Sequence, residues 1–227
     1  MRAAQEQYLK HLTSLYWENG YNPDTTQMER LAHFADLVAE KNEVLNLVSR
    51  KDIESIIENH VFISSYITKH IPERCTKFID IGTGGGFPGI PVAIMRPDLR
   101  GVLVDSIAKK TAAVAEFIER LMMSNIIVEN ARVEDEAFIQ KYTGQFDLVF
   151  SRATVPLIML VKYALPLIKD KGYVMALKGG DVTEEHKKAQ MKYTPFIKKS
   201  TVFELHYKPG NIKNVKEKKL VVLELVK

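Results

Sequence analysis

The chain has 227 residues, 46% of them hydrophobic and 26% charged, with 12 Gly and 9 Pro. That is ordinary globular composition, enough for one full domain plus an extension, and it excludes wholesale disorder, a collagen-like repeat and a coiled-coil rod. The net charge of +4 is unevenly spread: residues 183–227 hold 11 Lys against 5 Glu, which suits either a polyanion such as RNA or ordinary solvated faces.

Residues 1–75 read as a helical extension. Met28, Leu31, Phe34, Ala35, Val38 and Leu45 recur at helical spacing, and so do Ile53, Ile56, Ile57, Val61, Ile63 and Ile67. Asn22-Pro23-Asp24-Thr25 supplies a break and a helix cap, and Pro72 ends the third helical segment. Trp17, Tyr8 and Leu15 are expected to pack this extension onto the main body.

From Thr76 the texture changes to short apolar runs alternating with amphipathic stretches. Strands are predicted at 78–81, 102–105, 126–128, 146–150 and 173–177. Helices are predicted through 94 and over 107–122, 135–141 and 157–168. A Lys-rich helix follows, and then residues 200–207 and 220–226 read as an antiparallel pair. This alternation implies a Rossmann-like α/β fold over 76–227, one compact unit. Its doubly wound sheet is mostly parallel, with a C-terminal antiparallel strand pair.

The sole cysteine, Cys75, excludes an internal disulfide and a Cys-rich zinc site, and it reads as an inert thiol. The six histidines are scattered without metal-ligand spacing, so no metal is expected. The N-terminal residues lack a signal-peptide core. The most apolar stretch, 153–168, is interrupted by Pro156, Lys162 and Pro166, so no membrane association is expected and the chain reads as cytoplasmic.

The densest signal is the run from Phe78 to Pro91, in which Asp80 precedes Gly82, Gly84, Gly85, Gly86 and Gly89. A strand that runs into a glycine turn and then a helix lets the backbone bend sharply and approach a ligand closely. Amides at the new helix start suit an anionic group. Gly84, Gly86 and Gly89 fit a dinucleotide pattern, whereas Gly82, Gly84 and Gly86 fit G-x-G-x-G. Asp80 favours a ligand with an ammonium group, such as S-adenosylmethionine (SAM), over a pyrophosphate. Asp105 ends the second strand where ribose hydroxyls are gripped in such folds, or else it caps the next helix. The stretch from Asn130 to Asp135 either reads an adenine edge or starts a helix.

These blocks together resemble the ribosomal RNA small-subunit methyltransferase G family. The matching pieces are Asp80–Pro91, Val104-Asp105-Ser106 with Lys109-Lys110, Arg132-Val133-Glu134, Ser151-Arg152-Ala153, Asn46-Leu-Val-Ser49, His60 and Leu177-Lys178-Gly179. The resemblance implies a class I SAM-dependent fold and methylation of guanine N7 in 16S rRNA of the small ribosomal subunit, with S-adenosylhomocysteine as product. It implies Gly82, Phe87, Val133, Glu134 and Arg152 as cofactor-pocket residues, beside Asp80, Gly84 and Asp105. Asn46, His60 and Lys178 are the substrate-side candidates. The family's usual Asp three residues after the histidine is replaced here by Ile63.

Guanine N7 has an in-plane lone pair and no proton, so its methylation needs alignment rather than a general base. An exocyclic-amine methyltransferase often shows a D/N-P-P-Y/F motif after the fourth strand, where this chain has Ser151-Arg152-Ala153-Thr154. Arg152 would hold the methionine carboxylate, an RNA phosphate or the guanine edge, unless it is a structural ion pair. His60 could equally be a packing residue, and Lys178 could equally be solvated. The rivals are a SAM-dependent enzyme for another RNA or a small molecule, a NAD(P)-dependent reductase and a catalytically silent binding module. The expected enzyme is a monomer.

Overall fold

Strand β1 (Lys77–Ile81) is the axis of the sheet, with parallel neighbours on both sides. β2 (Arg100–Asp105) and then β3 (Ile126–Asn130) lie to one side. β4 (Phe146–Arg152) and β5 (Ile168–Gly179) lie to the other. Beyond β5, β7 (Lys218–Val226) runs antiparallel and pairs in turn with β6 (Ile197–Glu204), so the order is 3-2-1-4-5-7-6. The computed structural model describes residues 2–152, 155–208 and 218–227. Ala153 and Thr154 of the predicted β4 exit, and Lys213 and Lys216 of the basic tail, lie outside the described residues.

Alternate residues of each strand face opposite sides, which is why the sheet has two cores. On one side Phe78, Leu148, Phe150 and Met175 pack with α4 (Gly89–Met95) and α5 (Ala108–Arg120). Leu31, Phe34 and Val38 of α2 (Thr25–Asn42) belong to that same core. On the other side Ile79, Val149, Val174 and Ala176 pack with α6 (Glu136–Tyr142), α7 (Leu157–Leu167) and α8 (Thr183–Lys192).

Asp24 starts α2 with a reciprocal cap: its carboxylate accepts the Gln27 amide at 2.8 Å, and its own amide donates to Gln27 Oε1 at 3.1 Å. Gln27 Nε2 then donates to the Met95 carbonyl (3.1 Å), and Arg30 Nη2 donates to that of Leu121 (2.9 Å). These are carbonyls that the ends of α4 and α5 leave without helical partners, so α2 is bolted across two helix ends.

Trp17 does not pack as expected. In α1 (Ala3–Glu18) the inward stripe is Leu12, Leu15 and Tyr16, so Trp17, one position further round the helix, is 75% exposed; Tyr8 is half-buried. The third helical segment is not one uniform helix. It passes from a 3-10 turn (Ile53–Ser55) through π-helical turns (Ile57–Phe62) into α3 (Ile63–Tyr66) and a closing 3-10 turn (Ile67–His70). Among the described residues, no helix is long and apolar enough to cross a membrane.

Candidate functional site

The strand register sets Ile81 beside Val104, Asp105 beside Asn130 and Arg152 beside Leu177. The residues at the carboxyl ends of β1 to β5 therefore meet at one edge, where the strand order reverses about β1. The chain leaves β1 through Gly82, Gly84 and Gly86, whose φ values of 71°, 57° and 90° are ones that L side chains rarely adopt. The amides of Gly82 and Thr83 donate to the Val104 carbonyl (2.9 and 3.1 Å), which ties the turn to β2.

Asp80 lies behind this turn, fully buried, and not on a cavity wall. Its Oδ2 accepts from Thr83 Oγ1 (2.8 Å) and from the Gly89 amide (3.0 Å). Burial outweighs these two donors and pushes the carboxyl up to about 7. Asp105 does two things at once: Oδ2 accepts the Gly84 amide and Oδ1 that of Ile107, both at 2.9 Å. It thereby fixes the turn that leads into α5 and braces the glycine turn.

Around this edge lies a cavity of about 720 Å3. Gly82, Gly84, Phe87, Asp105, Val133, Glu134, Arg152, His60 and Lys178, dispersed in sequence, all line it. Asn46 does not: it is exposed, and its neighbour Leu47 forms that part of the wall. Asn42 Oδ1 holds the loop there by accepting the amides of Leu47 (2.8 Å) and Val48 (2.9 Å). A Cβ at Gly85 would stand 3.2 Å from Leu47 Cβ, so the two segments are in tight contact.

His60 sits edge-on to Phe87, with ring centroids 5.3 Å apart, and Phe34 backs the same ring at 5.0 Å. Arg152 donates from Nη2 to the Asn59 carbonyl (3.0 Å) and from Nη1 to Ser64 Oγ (3.5 Å), which ties the end of β4 to the π-helical turns and to α3. Burial lowers its guanidinium to about 10, against the pull of Asp52 and Asp80, so it remains a cation at neutral pH. Lys178 is neither solvated nor simply turned outward. Its side chain is only 13% exposed, and Nζ donates to the Val155 carbonyl (2.8 Å) and to Glu185 Oε1 (2.7 Å). Cys75 is buried and away from this cavity, its thiol pushed up to about 11.

Leu47, Asp52, Tyr163 and Lys218 also line the cavity, and sequence reasoning does not single them out. Leu47 lies inside the Asn46–Ser49 block and is within its reach; the other three carry no local signal. The residues present fit SAM. Asp105 uses one lone pair per oxygen on amides and keeps others for ribose hydroxyls. The glycine backbone leaves the close approach that an amino-acid moiety requires, and Val133 and Glu134 follow β3 and line the cavity beside Asp105.

A doubly wound sheet with β7 reversed between β5 and β6 departs from the dinucleotide fold, whose six strands run parallel in the order 3-2-1-4-5-6. The fold is that of the class I SAM-dependent methyltransferases. It is similar to a predicted O-methyltransferase from Agrobacterium tumefaciens, with a TM-score of 0.59 and 14% identity, covering 73% of this chain and 80% of that one. The family model described as rRNA small subunit methyltransferase G (GidB) matches residues 27–213. The ribosomal RNA small subunit methyltransferase G of Acetivibrio thermocellus is 37% identical over 165 residues, 73% of this chain and 68% of the relative. That of Bacteroides thetaiotaomicron is 39% identical over 186 residues, 78% of this chain and 86% of the relative. The chain belongs to the rRNA small subunit methyltransferase G family.

Proposed function

We propose that the chain transfers the methyl group of SAM to N7 of a guanine in 16S rRNA by in-line attack of the ring nitrogen, without a general base. As a member of its family it is a SAM-dependent methyltransferase of small-subunit rRNA; the acceptor atom and the manner of attack are the reading advanced here. The observation that carries it is the charge of the cavity on the β4–β5 side. There Arg152, Lys178 and Lys218 line the wall, with Asp52 and His60 in the same lining, and three basic side chains in one cavity would draw in the phosphates of an RNA.

When bound, SAM supplies an electrophilic methyl on a sulfonium and leaves as S-adenosylhomocysteine. The residues of the chain supply position. Gly82, Gly84 and Phe87 would hold the amino-acid end, with Asp80 fixing the turn from behind. Asp105 would take the ribose, Val133 and Glu134 the adenine, and Arg152 the inner end of the cavity. His60 and Lys178 would stand on the acceptor side, with Asn46 exposed beside Leu47 and outside the lining. A guanine nitrogen held in this way would attack with its lone pair as the carbon–sulfur bond breaks, and the positive charge would pass from sulfur to the base. No proton moves, so holding nucleophile, methyl and sulfur in line is the main catalytic demand.

In this reading residues 1–75 and the basic C-terminal segment grip RNA while residues 76–180 hold SAM. The protein works as a cytoplasmic monomer. The test is incubation with methyl-labelled SAM and small ribosomal subunits that lack the modification. Label in 16S rRNA at a site cleavable by reduction and aniline is the expected result. Label that survives such treatment would exclude N7.

A further inference from the structure

The wall of the cavity beyond β4 is held by a carboxylate that the cavity does not touch. Glu185 lies in the first turn of α8. Its Oε1 accepts the backbone amide of Leu157, the first residue of α7, and also the Lys178 ammonium at 2.7 Å. Lys178 Nζ in turn donates to the Val155 carbonyl at 2.8 Å. The ion pair therefore brackets Pro156, gripping the carbonyl before it and the amide after it. The Pro156 carbonyl is already occupied by the amides of Met159 and Leu160 at 2.9 and 3.0 Å. An unpartnered helix-start amide finds an anion, and a cation on β5 finds the strand-exit carbonyl.

The position of this bracket gives it a consequence for the reaction. Val155, Tyr163 and Lys178 line the cavity and Glu185 does not. The glycine turn and Asp105, on the opposite side, are braced instead by each other and by β2. We infer that Glu185 is a positioning residue for the acceptor side of the cavity. It orients the Lys178 ammonium and fixes the Val155–Leu157 segment, whose Val155 forms the wall against which the target base is placed. The inference rests on the proposed function, because it takes the β4–β5 side as the acceptor side. Misplacing that wall by a fraction of an ångström would cost alignment of the nucleophile and leave the SAM side intact.

The experiment compares Glu185→Leu, Glu185→Gln and Lys178→Met with the unaltered protein. The readouts are SAM affinity by calorimetry, thermal midpoint, and kcat and KM for methylation of small ribosomal subunits. Glu185→Leu should lower kcat/KM for RNA about 10-fold or more while changing SAM affinity less than about twofold. Glu185→Gln keeps an oxygen acceptor for Leu157 and Lys178 and should recover most of that loss. The double variant Glu185→Leu with Lys178→Met should be no worse than the poorer single variant, since the two act as one unit. Unchanged kcat/KM in Glu185→Leu would overturn the inference. So would a parallel fall of thermal midpoint and SAM affinity in both Glu185 variants, which would make the pair a prop of the whole fold. An unaltered protein that binds SAM but labels no rRNA would overturn the proposed function, and this inference with it.

Discussion

The Asp105 carboxylate, at the end of β2, accepts the amide of Gly84, 21 positions earlier, at 2.9 Å. One side chain thereby couples the glycine turn to the neighbouring strand while facing the cavity. Asp105→Ala removes both the brace and the proposed ribose acceptor. Hydrogen bonds to a charged group are worth roughly 1.5–3 kcal/mol, so SAM affinity should fall by about 10- to 150-fold. Asp105→Asn, which keeps one acceptor oxygen, should lose less. Calorimetric titration with SAM checks both, and equal affinity in Asp105→Ala would remove this residue from the cofactor site.

Asn42 is a second brace, from the helical extension. Its Oδ1 takes two loop amides and so keeps Leu47 against Gly85. Asn42→Leu preserves the volume and removes the acceptor. With each bond worth about 0.5–1.5 kcal/mol net, SAM should bind roughly tenfold more weakly. Asn42→Asp should bind close to normally. If the two variants bind alike, the loop is held by other interactions.

Asp80 makes the stability of the turn depend on pH. Its folded value of about 7 lies above the ordinary 3.8, so between these values the folded protein binds more protons than the unfolded chain. The contribution of this group is therefore fully present below the ordinary range and is lost as pH rises through about 7. Without SAM, the thermal midpoint should fall from about pH 5 to about pH 8 more steeply in the unaltered protein than in Asp80→Asn. Parallel profiles would count against a protonated Asp80.

Lys187 and Lys188 on α8, and Lys198 and Lys199 on β6, are all exposed. If this surface meets the RNA backbone, changing all four to Ala weakens binding to small-subunit rRNA. It should also flatten the salt dependence by about 0.7–0.9 in log–log slope for each phosphate that is no longer neutralised. Affinity measured at several salt concentrations decides it. An unchanged slope would assign the lysines to plain solvation.

Most of the fold is legible in the sequence because its signals are local. The period of Met28, Leu31, Ala35 and Val38 marks α2, and short apolar runs between turn residues mark the strands. β5 is an instructive exception. The apolar run predicts it over 173–177, and it extends from Ile168 to Gly179. Its first residues, Lys169, Asp170 and Lys171, are exposed and read as loop, and the pairing with β4 shifts register between Phe146 and Leu148. Trp17 misleads for the opposite reason: a large apolar side chain suggests burial, but helix phase alone decides which way it faces.

The order of strands and helices, the glycine turn, the acids beside it and the family can all be read along the linear chain. They follow from short-range period and from dihedral needs that only glycine meets. Folding in three dimensions was required to put Leu47 rather than Asn46 on the cavity and to set Asp80 behind the turn as its brace. The same holds for the claim of Glu185 on Lys178, and for Arg152, which reaches back 93 positions to the Asn59 carbonyl. Those outcomes depend on which buried donors and acceptors are left over once distant segments have packed. A buried polar group takes the partner that packing brings within reach, whatever its distance in the chain.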